Sequence, residues 1–250
     1  MNKLEQKRRA KAMMGDYTPE DLHYYRVDRH SFTIYVGGDP ELLGEEGEEP
    51  GVEHRMADRF EINLGLLSAI DPERPILVVT SSCGGNWQEG MQMFSAMLYC
   101  QNPVTVLGTK HCRSMTSIIP LSADRFVIRP PAQYMYHRGS WGFIGLDQEA
   151  DTADIERRKT TEMMLRIYAG RLRERFPGRT EAQIRQALTR QMEQKIDVYL
   201  SAEEAVDRGF VDAVFTGDYS ILRAKKRNEA RRRIMMDAVS RPVSVSVAVS

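Results

Sequence analysis

The length and charge balance of the chain narrow the classes of protein to which it can belong. Its 250 residues are enough to bury a full core and fit one domain with extensions. A content of 42% hydrophobic and 28% charged residues is ordinary for a globular protein. Lys plus Arg and Asp plus Glu are both 35, so the charge gives no reason to expect binding to nucleic acid or to a membrane surface.

Two further features bear on the cellular compartment. No apolar run approaches the roughly 18 residues that cross a bilayer, and no apolar core of a secretory signal follows the charged N-terminus. Cys83, Cys100 and Cys112 form neither a CxxC pair nor an even-numbered framework, so we expect reduced thiols and a cytoplasmic protein. The sequence contains no HExxH motif and no Cys/His cluster, so we predict no metal site and no cofactor.

Strand and helix patterns alternate through the first part of the chain. The polar segment at 1–30 is interpreted as a helical extension. After it, runs of apolar residues or alternating apolar and polar residues predict strands, and apolar residues three or four positions apart predict helices. The predicted elements are strand 31–38, acidic loop 39–53, helix 54–70, strand 76–82, helix 86–100, strand 103–109, helix 116–123, strand 125–129 and strand 133–137. This order predicts an α/β protein with a parallel sheet and right-handed crossovers.

A long, heavily charged helix at 148–176 follows. Leu165, Tyr168, Leu172 and Phe176 form an apolar stripe at helical spacing along it. Because helices of this length seldom lie wholly on their own domain, we expect part of the helix to protrude or to pack on a neighbouring subunit.

Shorter elements follow the long helix. Residues 180–193 predict another helix. Residues 200–215 open with a capping box formed by Ser201 and Glu204, and Gly209 is a plausible helix terminator before a final strand.

The last segment, 217–250, is interpreted as a basic C-terminal tail. Within it, 224–233 favours a solvated charged helix over a nucleic-acid contact. Residues 243–250 fit either a strand or a disordered end.

Two predicted strands end in residues that suit an oxyanion site. The sequence SSCGGNW at 81–87 follows one strand, and its two glycines leave backbone N–H groups uncovered by side chains. Ser114 begins a helix after the next strand, and the carboxyl ends of parallel strands form the edge at which α/β sheets bind ligands. Because helix N-termini carry partial positive charge, the N–H groups of Gly85 and Met115 are candidate donors to an oxyanion.

Ser114 has two interpretations. It is either only a favoured N-cap of the helix that follows, or a nucleophile, which needs an adjacent base. The candidate base is His137, which ends a predicted strand before a Gly-containing loop and could alternatively be a histidine bonded to the backbone. Asp197, just before the capping box, is the candidate carboxylate for orienting the imidazole.

Four segments in a fixed order carry a resemblance to a known family. They are VVTSSCGGNWQEGMQMFSAML, RSMTS, RFVIRPPAQYMYH and DVYLSAEEAVDRGFVDAVF. The chain resembles the proteolytic subunit of the Clp protease, ClpP, within the crotonase-like superfamily. In that family a Ser-Pro-Gly-Gly stretch, an Ala-Ser-Met-Gly nucleophile, a Met-Ile-His strand end and an Asp before Leu-Ser-Ala recur in this order. The resemblance covers roughly residues 30–216.

The resemblance implies a role for each candidate residue. Ser114 resembles the nucleophile, His137 the general base and Asp197 the orienting acid. Gly85 and Met115 resemble the donors to the oxyanion. The fold that it implies is α/β, with ClpP/crotonase-like stacked ββα units and a protruding handle helix.

The resemblance also implies an activity and partners. A serine endopeptidase domain at 31–216 would hydrolyse unfolded polypeptides inside a chamber of heptameric rings, which can stack as a tetradecamer. An AAA+ unfoldase ATPase would supply the ATP-dependent step, and the helix at 148–176 would be the handle between rings. Neither nucleic acid nor a membrane is an expected partner.

The sequence also departs from the family pattern. Cys83 and Thr116 stand where the family has Pro and Gly, and Arg113 replaces a small residue before the nucleophile. Leu77 and Val79 replace aromatic residues of the family's ATPase-docking pocket. Two alternatives stay open: a non-catalytic ring subunit that assembles with an active paralogue, or a crotonase-type acyl-CoA hydratase or isomerase, which needs no Ser–His–Asp set.

Overall fold

One eight-stranded sheet organises the fold. The computed structural model describes residues 19–38 and 50–243, so the predictions for 1–18, 39–49 and 244–250 fall outside it. The strands are β1 (Val27–Asp28), β2 (Thr33–Gly37), β3 (Ile76–Ser82), β4 (Val104–Arg113), β5 (Arg125–Ile128), β6 (Gln133–Tyr136), β7 (Val198–Leu200) and β8 (Ala213–Val214). They are ordered β1-β2-β3-β4-β5-β8, with β6 beside β4 and β7 beside β6. Only β1 with β2 and β6 with β7 pair antiparallel among these described strands.

Eight α-helices and two 3₁₀ turns are described around this sheet. The helices are α1 (Pro19–Tyr25), α2 (His54–Ile70), α3 (Trp87–Tyr99), α4 (Met115–Ile118), α5 (Asp147–Arg175), α6 (Glu181–Lys195), α7 (Ala202–Asp207) and α8 (Glu229–Ser240). The 3₁₀ turns are Ile119–Ser122 and Tyr219–Leu222. Within the two described ranges, no helix is long and apolar enough to cross a membrane.

The predicted α/β class is confirmed, and most predicted strands and helices within the described ranges are found close to their expected positions. The interpretation of 1–30 as a helical extension is wrong for Val27–Asp28, which form β1 and pair with β2. Both α2 and β3 have the predicted bounds. Strand β4 is longer than predicted, because it continues past residue 109 to Arg113. This extension carries the chain directly to Ser114, which lies at the edge of the sheet.

The apolar stripe of the long helix is covered by the protein's own core. Tyr168 is fully buried, while Leu165 and Leu172 are 8% and 7% exposed. Tyr168 contacts the rings of Tyr136 and Phe210. Leu165, Tyr168 and Leu172 therefore do not supply the contact with a neighbouring subunit that we expect of part of this helix. Residues 149–163, in the earlier turns of α5, are half-buried or exposed.

The C-terminal helix α8 is joined to the body of the protein by buried charges. Arg231, 4% exposed, donates hydrogen bonds to Asp212 and Glu174. Arg171, 3% exposed, donates to the same two carboxylates. Arg227 bonds Asp124 at 2.9 Å. The expectation of a solvated charged helix is therefore wrong for Arg227 and Arg231, and the proposed boundary at 216 stays a prediction.

Asp212 is one of the two carboxylates that the buried arginines share, at 2.6 Å from Arg171 and 2.8 Å from Arg231. Burial alone would raise the pKa of Asp212, but the hydrogen bonds and charges of Arg231 and Arg171 outweigh it and hold that pKa well below its usual value of 3.8. A carboxyl whose pKa is lowered on folding stabilises the native state at every pH above its unfolded value.

We expect Asp212→Asn to lower the free energy of unfolding by about 3–5 kcal/mol, because it leaves two buried arginines without a full counter-charge. Urea unfolding at neutral pH measures this loss, with the exposed Asp207→Asn as the matched control. The difference from wild type should narrow as the pH falls below 3.8, where the unfolded carboxyl takes up a proton. Equal stability of the two variants would contradict this account.

Candidate active site

A change of neighbours along β4 places Ser114. The first part of β4 pairs with β5, from Thr105 to Gly108, and its last part pairs with β6, ending with Arg113 opposite Met135. The backbone N–H of Ser114 then donates to the carbonyl of Met135 at 2.9 Å. The nucleophile candidate therefore lies beside the end of β6.

The backbone of Ser114 lies outside the usual regions for a residue with a side chain. Its φ is 52° and its ψ is −122°, a conformation that costs of order 1–3 kcal/mol. Ser114 occupies the N-cap position of α4, but its side chain makes no capping hydrogen bond. Its Oγ instead lies 2.7 Å from Nε2 of His137. The interpretation of Ser114 as only an N-cap is therefore wrong.

His137 and Asp197 are brought together by strand pairing. Strand β6 pairs antiparallel with β7, with Tyr136 opposite Val198, so the residues that flank this pair are also neighbours. Ile196 has a φ of 59°, which turns the chain from the end of α6 into β7. Nδ1 of His137 lies 2.9 Å from Oδ1 of Asp197.

The two contacts of His137 suit different roles for its two ring nitrogens. With Nδ1–H of His137 donating to the Asp197 carboxylate, Nε2 is left to accept the hydroxyl proton of Ser114. The His137 side chain is 20% exposed, and that of Asp197 is 41% exposed. The three residues selected from the sequence thus form one continuous hydrogen-bonded set.

Gly84 and Gly85 form the other wall of the site. Their φ values are 111° and 145°, in the region that favours glycine. A Cβ at Gly84 would lie 2.4 Å from Cβ of Ser114, so a side chain there would collide with the nucleophile. Gly85 and Met115 line the same cavity of about 410 Å³ as Ser114 and His137.

Several residues that the sequence analysis did not select also contribute. Ser117 Oγ donates to the carbonyl of Ser114 at 2.6 Å and contacts the hydroxyl of Tyr168, also at 2.6 Å. The cavity is further lined by Trp87, Ile118 and Met164. No sequence signal pointed to Tyr168 in this role, because its partner lies 51 positions away along the chain.

Cys112 precedes the nucleophile by two residues but is not suited to replace it. Its side chain is fully buried, and this burial raises the pKa of the thiol to about 12. A thiol with so high a pKa carries almost no thiolate at neutral pH, and the thiolate is the reactive form.

With the fold and the site defined, the chain can be compared with known proteins. The model of the Clp protease family matches residues 49–218. The chain belongs to the Clp protease family. The ATP-dependent Clp protease proteolytic subunit of Ostreococcus tauri is 30% identical over 209 residues, which cover 83% of this chain and 93% of that protein. The subunit of the same name from Leuconostoc citreum is 30% identical over 170 residues, covering 66% and 79%.

A solved structure supports the fold. A point mutant of ClpP1 from Listeria monocytogenes superposes with a TM-score of 0.61 at 21% identity, covering 77% of this chain and 96% of that one. Together with the family match, this confirms the Clp protease fold, and the family confirms the serine-type endopeptidase class predicted from the sequence.

We expect Asp197→Asn to reduce kcat less than His137→Ala. The amide favours the wrong imidazole tautomer, which costs on the order of 10⁴-fold, whereas loss of the base costs on the order of 10⁶-fold. Steady-state cleavage of a fluorogenic peptide by both variants measures the gap, and Asp207→Asn serves as the control for removal of an exposed carboxylate that does not line the cavity. Wild-type turnover in His137→Ala would contradict the assignment of the base.

Proposed function

We propose that the chain is the proteolytic subunit of a Clp-type protease and hydrolyses peptide bonds through an acyl-enzyme on Ser114. The proposal is carried by one observation: Ser114 Oγ, both imidazole nitrogens of His137 and the Asp197 carboxylate are joined by contacts of 2.7 and 2.9 Å. A serine hydroxyl needs such a base to become a nucleophile at neutral pH.

The first half of the reaction follows from this arrangement. Nε2 of His137 takes the proton of Ser114 as Oγ attacks the peptide carbonyl, and Asp197 stabilises the resulting imidazolium. The carbonyl oxygen becomes an oxyanion, which the N–H groups of Gly85 and Met115 hold. His137 then gives its proton to the leaving amine, and the acyl group stays on Ser114.

Water completes the cycle. His137 accepts a proton from water, whose oxygen attacks the acyl carbon, and the oxyanion site stabilises the second tetrahedral intermediate. Collapse of this intermediate releases the carboxylic acid and returns the proton to Ser114. The hydrogen-bonded triad favours this reaction over acyl-CoA hydration or isomerisation and over a non-catalytic role, since neither alternative needs such a set.

The substrates and partners follow from the family. The relatives are named ATP-dependent proteolytic subunits, which supports unfolded polypeptides as substrates and an AAA+ unfoldase ATPase as the source of the ATP-dependent step. Leu77, at a position expected for the docking pocket, packs against a small cluster formed by Leu107, Val127 and Leu222.

Heptameric rings, stacked in pairs, are the proposed assembly. Since the stripe of α5 is buried within the subunit, the contact between rings needs another apolar surface. We define the rim as residues 141–146, which precede α5 and expose Trp141 (53%), Ile144 (103%) and Leu146 (71%).

The cytoplasm is the proposed compartment. In the part of the chain that the structure describes, Cys83, Cys100 and Cys112 form no disulfide with one another. Three thiols that stay reduced support a reducing compartment, because disulfides form and persist mainly in oxidising ones.

A fluorophosphonate probe should label Ser114, and Ser114→Ala should abolish both labelling and peptide cleavage, because loss of a triad member costs several orders of magnitude in rate. Ser140, an exposed serine that lines the same cavity, provides the matched control, and Ser140→Ala should be labelled normally. Mass spectrometry of the labelled peptide identifies the site. Full cleavage by a folded Ser114→Ala variant would refute the mechanism.

Ile144→Asp should split the particle without unfolding the subunit. Burying such a side chain is worth about 1.5–3 kcal/mol per subunit, and a charge on the rim removes this contribution around the whole ring. Light scattering and circular dichroism measure assembly and folding. Tyr219→Asp, at a residue that is 74% exposed outside the rim, is the control. An intact particle after Ile144→Asp would exclude the rim as the contact.

A further inference from the structure

Val52 is hydrogen-bonded to the loop that carries one oxyanion donor. The N–H of Val52 donates to the carbonyl of Gly84 at 2.5 Å, and the carbonyl of Val52 accepts from the N–H of Asn86 at 2.9 Å. Val52 and Gly85 form a parallel bridge. The backbone of Gly85 is therefore held from both sides by a single residue.

This bonding orients the N–H of Gly85. The carbonyl of Gly84 and the N–H of Gly85 belong to one planar trans peptide, so the two groups point in opposite directions. When Val52 holds the carbonyl on one side, the N–H at the other end is fixed in direction as well. Because Gly85 lines the cavity that contains Ser114, Val52 acts on the site without lining that cavity itself.

Gly51 permits this close approach. A Cβ on Gly51 would lie 2.3 Å from the carbonyl oxygen of Gly84 and 3.1 Å from Cα of Gly85. The φ of Gly51 lies outside the left-handed region, unlike those of Gly84 and Gly85. Glycine is therefore needed at position 51 because of contact with the oxyanion loop, and not because of its own torsion angles.

The second donor, Met115, is held through its side chain. Met115 is 3% exposed and packs on α3 at Gly90, where a Cβ would lie 2.1 Å from Cγ of Met115 and 2.7 Å from Sδ. Cγ is two bonds from Cα and the Met115 side chain is buried, so a side chain at position 90 would displace the Met115 side chain and strain the position of its main chain. Asn86, which Val52 holds, is the N-cap of the same helix.

We propose that Gly51 and Gly90 are positioning residues that aim the two oxyanion donors, Gly85 and Met115, at one point. Both act from behind the site, Gly51 through the carbonyl of Gly84 and Gly90 through the side chain of Met115. The inference rests on the proposed function, because it assumes that these two N–H groups hold the oxyanion.

The test compares Gly51→Ala and Gly90→Ala with Gly65→Ala, a glycine on α2 where the added methyl would have no atom of the described residues within 4 Å. Alanine favours a helix more than glycine does, so Gly90→Ala does not weaken α3 by propensity. Because the donors act on charge that develops in the transition state, kcat should fall about 10- to 100-fold in the first two variants, with KM changed less than about threefold. Gly65→Ala should keep wild-type kinetics.

Two further measurements separate positioning from general damage. A peptide trifluoromethyl ketone forms an oxyanion on Ser114. Its affinity for Gly51→Ala and Gly90→Ala should fall in proportion to their kcat/KM, whereas the affinity of a cleaved product peptide should not change. The double variant Gly90→Ala/Met115→Ala should have a kcat about tenfold or more above that of Gly90→Ala alone. The second substitution removes Cγ of residue 115, while its backbone N–H remains.

Each outcome decides the inference. Wild-type kcat in both variants, or equal weakening of ketone and product peptide, overturns it, as does a double variant that recovers nothing. If Gly51→Ala does not fold, the comparison of Gly90→Ala with the double variant Gly90→Ala/Met115→Ala decides the inference. The proposed function fails separately, if the fluorophosphonate probe does not label Ser114 of the wild-type protein.

Discussion

Strand β4 pairs with two different neighbours along one edge, and the position of Ser114 depends on this change of partner. Its other edge pairs with β3, where the register shifts between Thr80 and Ser82. The neighbour on the first edge changes from β5 to β6, which ends one residue before His137. Since the end of β4 lies beside the end of β6, backbone pairing places Ser114 next to His137.

Backbone pairing also positions the rest of the site. Asp197 reaches His137 because β7 pairs with β6, and the oxyanion loop is held by backbone hydrogen bonds from Val52. Backbone pairing specifies position more rigidly than long side chains can, which suits a site that must hold its geometry while charge develops. The strained backbone of Ser114 is the cost of turning the chain out of the sheet at that point.

Buried charge plays a different part, because it attaches the C-terminal helix to the core. Arg231 of α8 bonds Asp212 just before β8 and Glu174 near the end of α5, 19 and 57 positions away along the chain. Buried arginines of this kind are tolerated only when their donors are satisfied. In the sequence, the run of Lys and Arg around Arg231 looks like a solvated surface, since a linear pattern does not reveal carboxylates so far away.

The long helix α5 shows the same limit for apolar residues. Periodicity indicates that one face of a helix is covered, but it does not indicate which subunit covers that face. In the folded chain, the core that includes Phe210 covers the stripe at Tyr168.

The sequence by itself determined the α/β class and the bounds of elements such as α2 and β3, and it selected Ser114, His137 and Asp197 as candidates for one site, because local periodicity and ordered motifs are properties of short segments. Only the tertiary structure decided how these residues meet. The strand pairings that join them connect segments 23 and 60 positions apart, and the close approaches at Gly51 and Gly90 depend on space left by distant backbone and side-chain atoms. Such distances are set only when all strands of the sheet are paired, so no local sequence pattern encodes them.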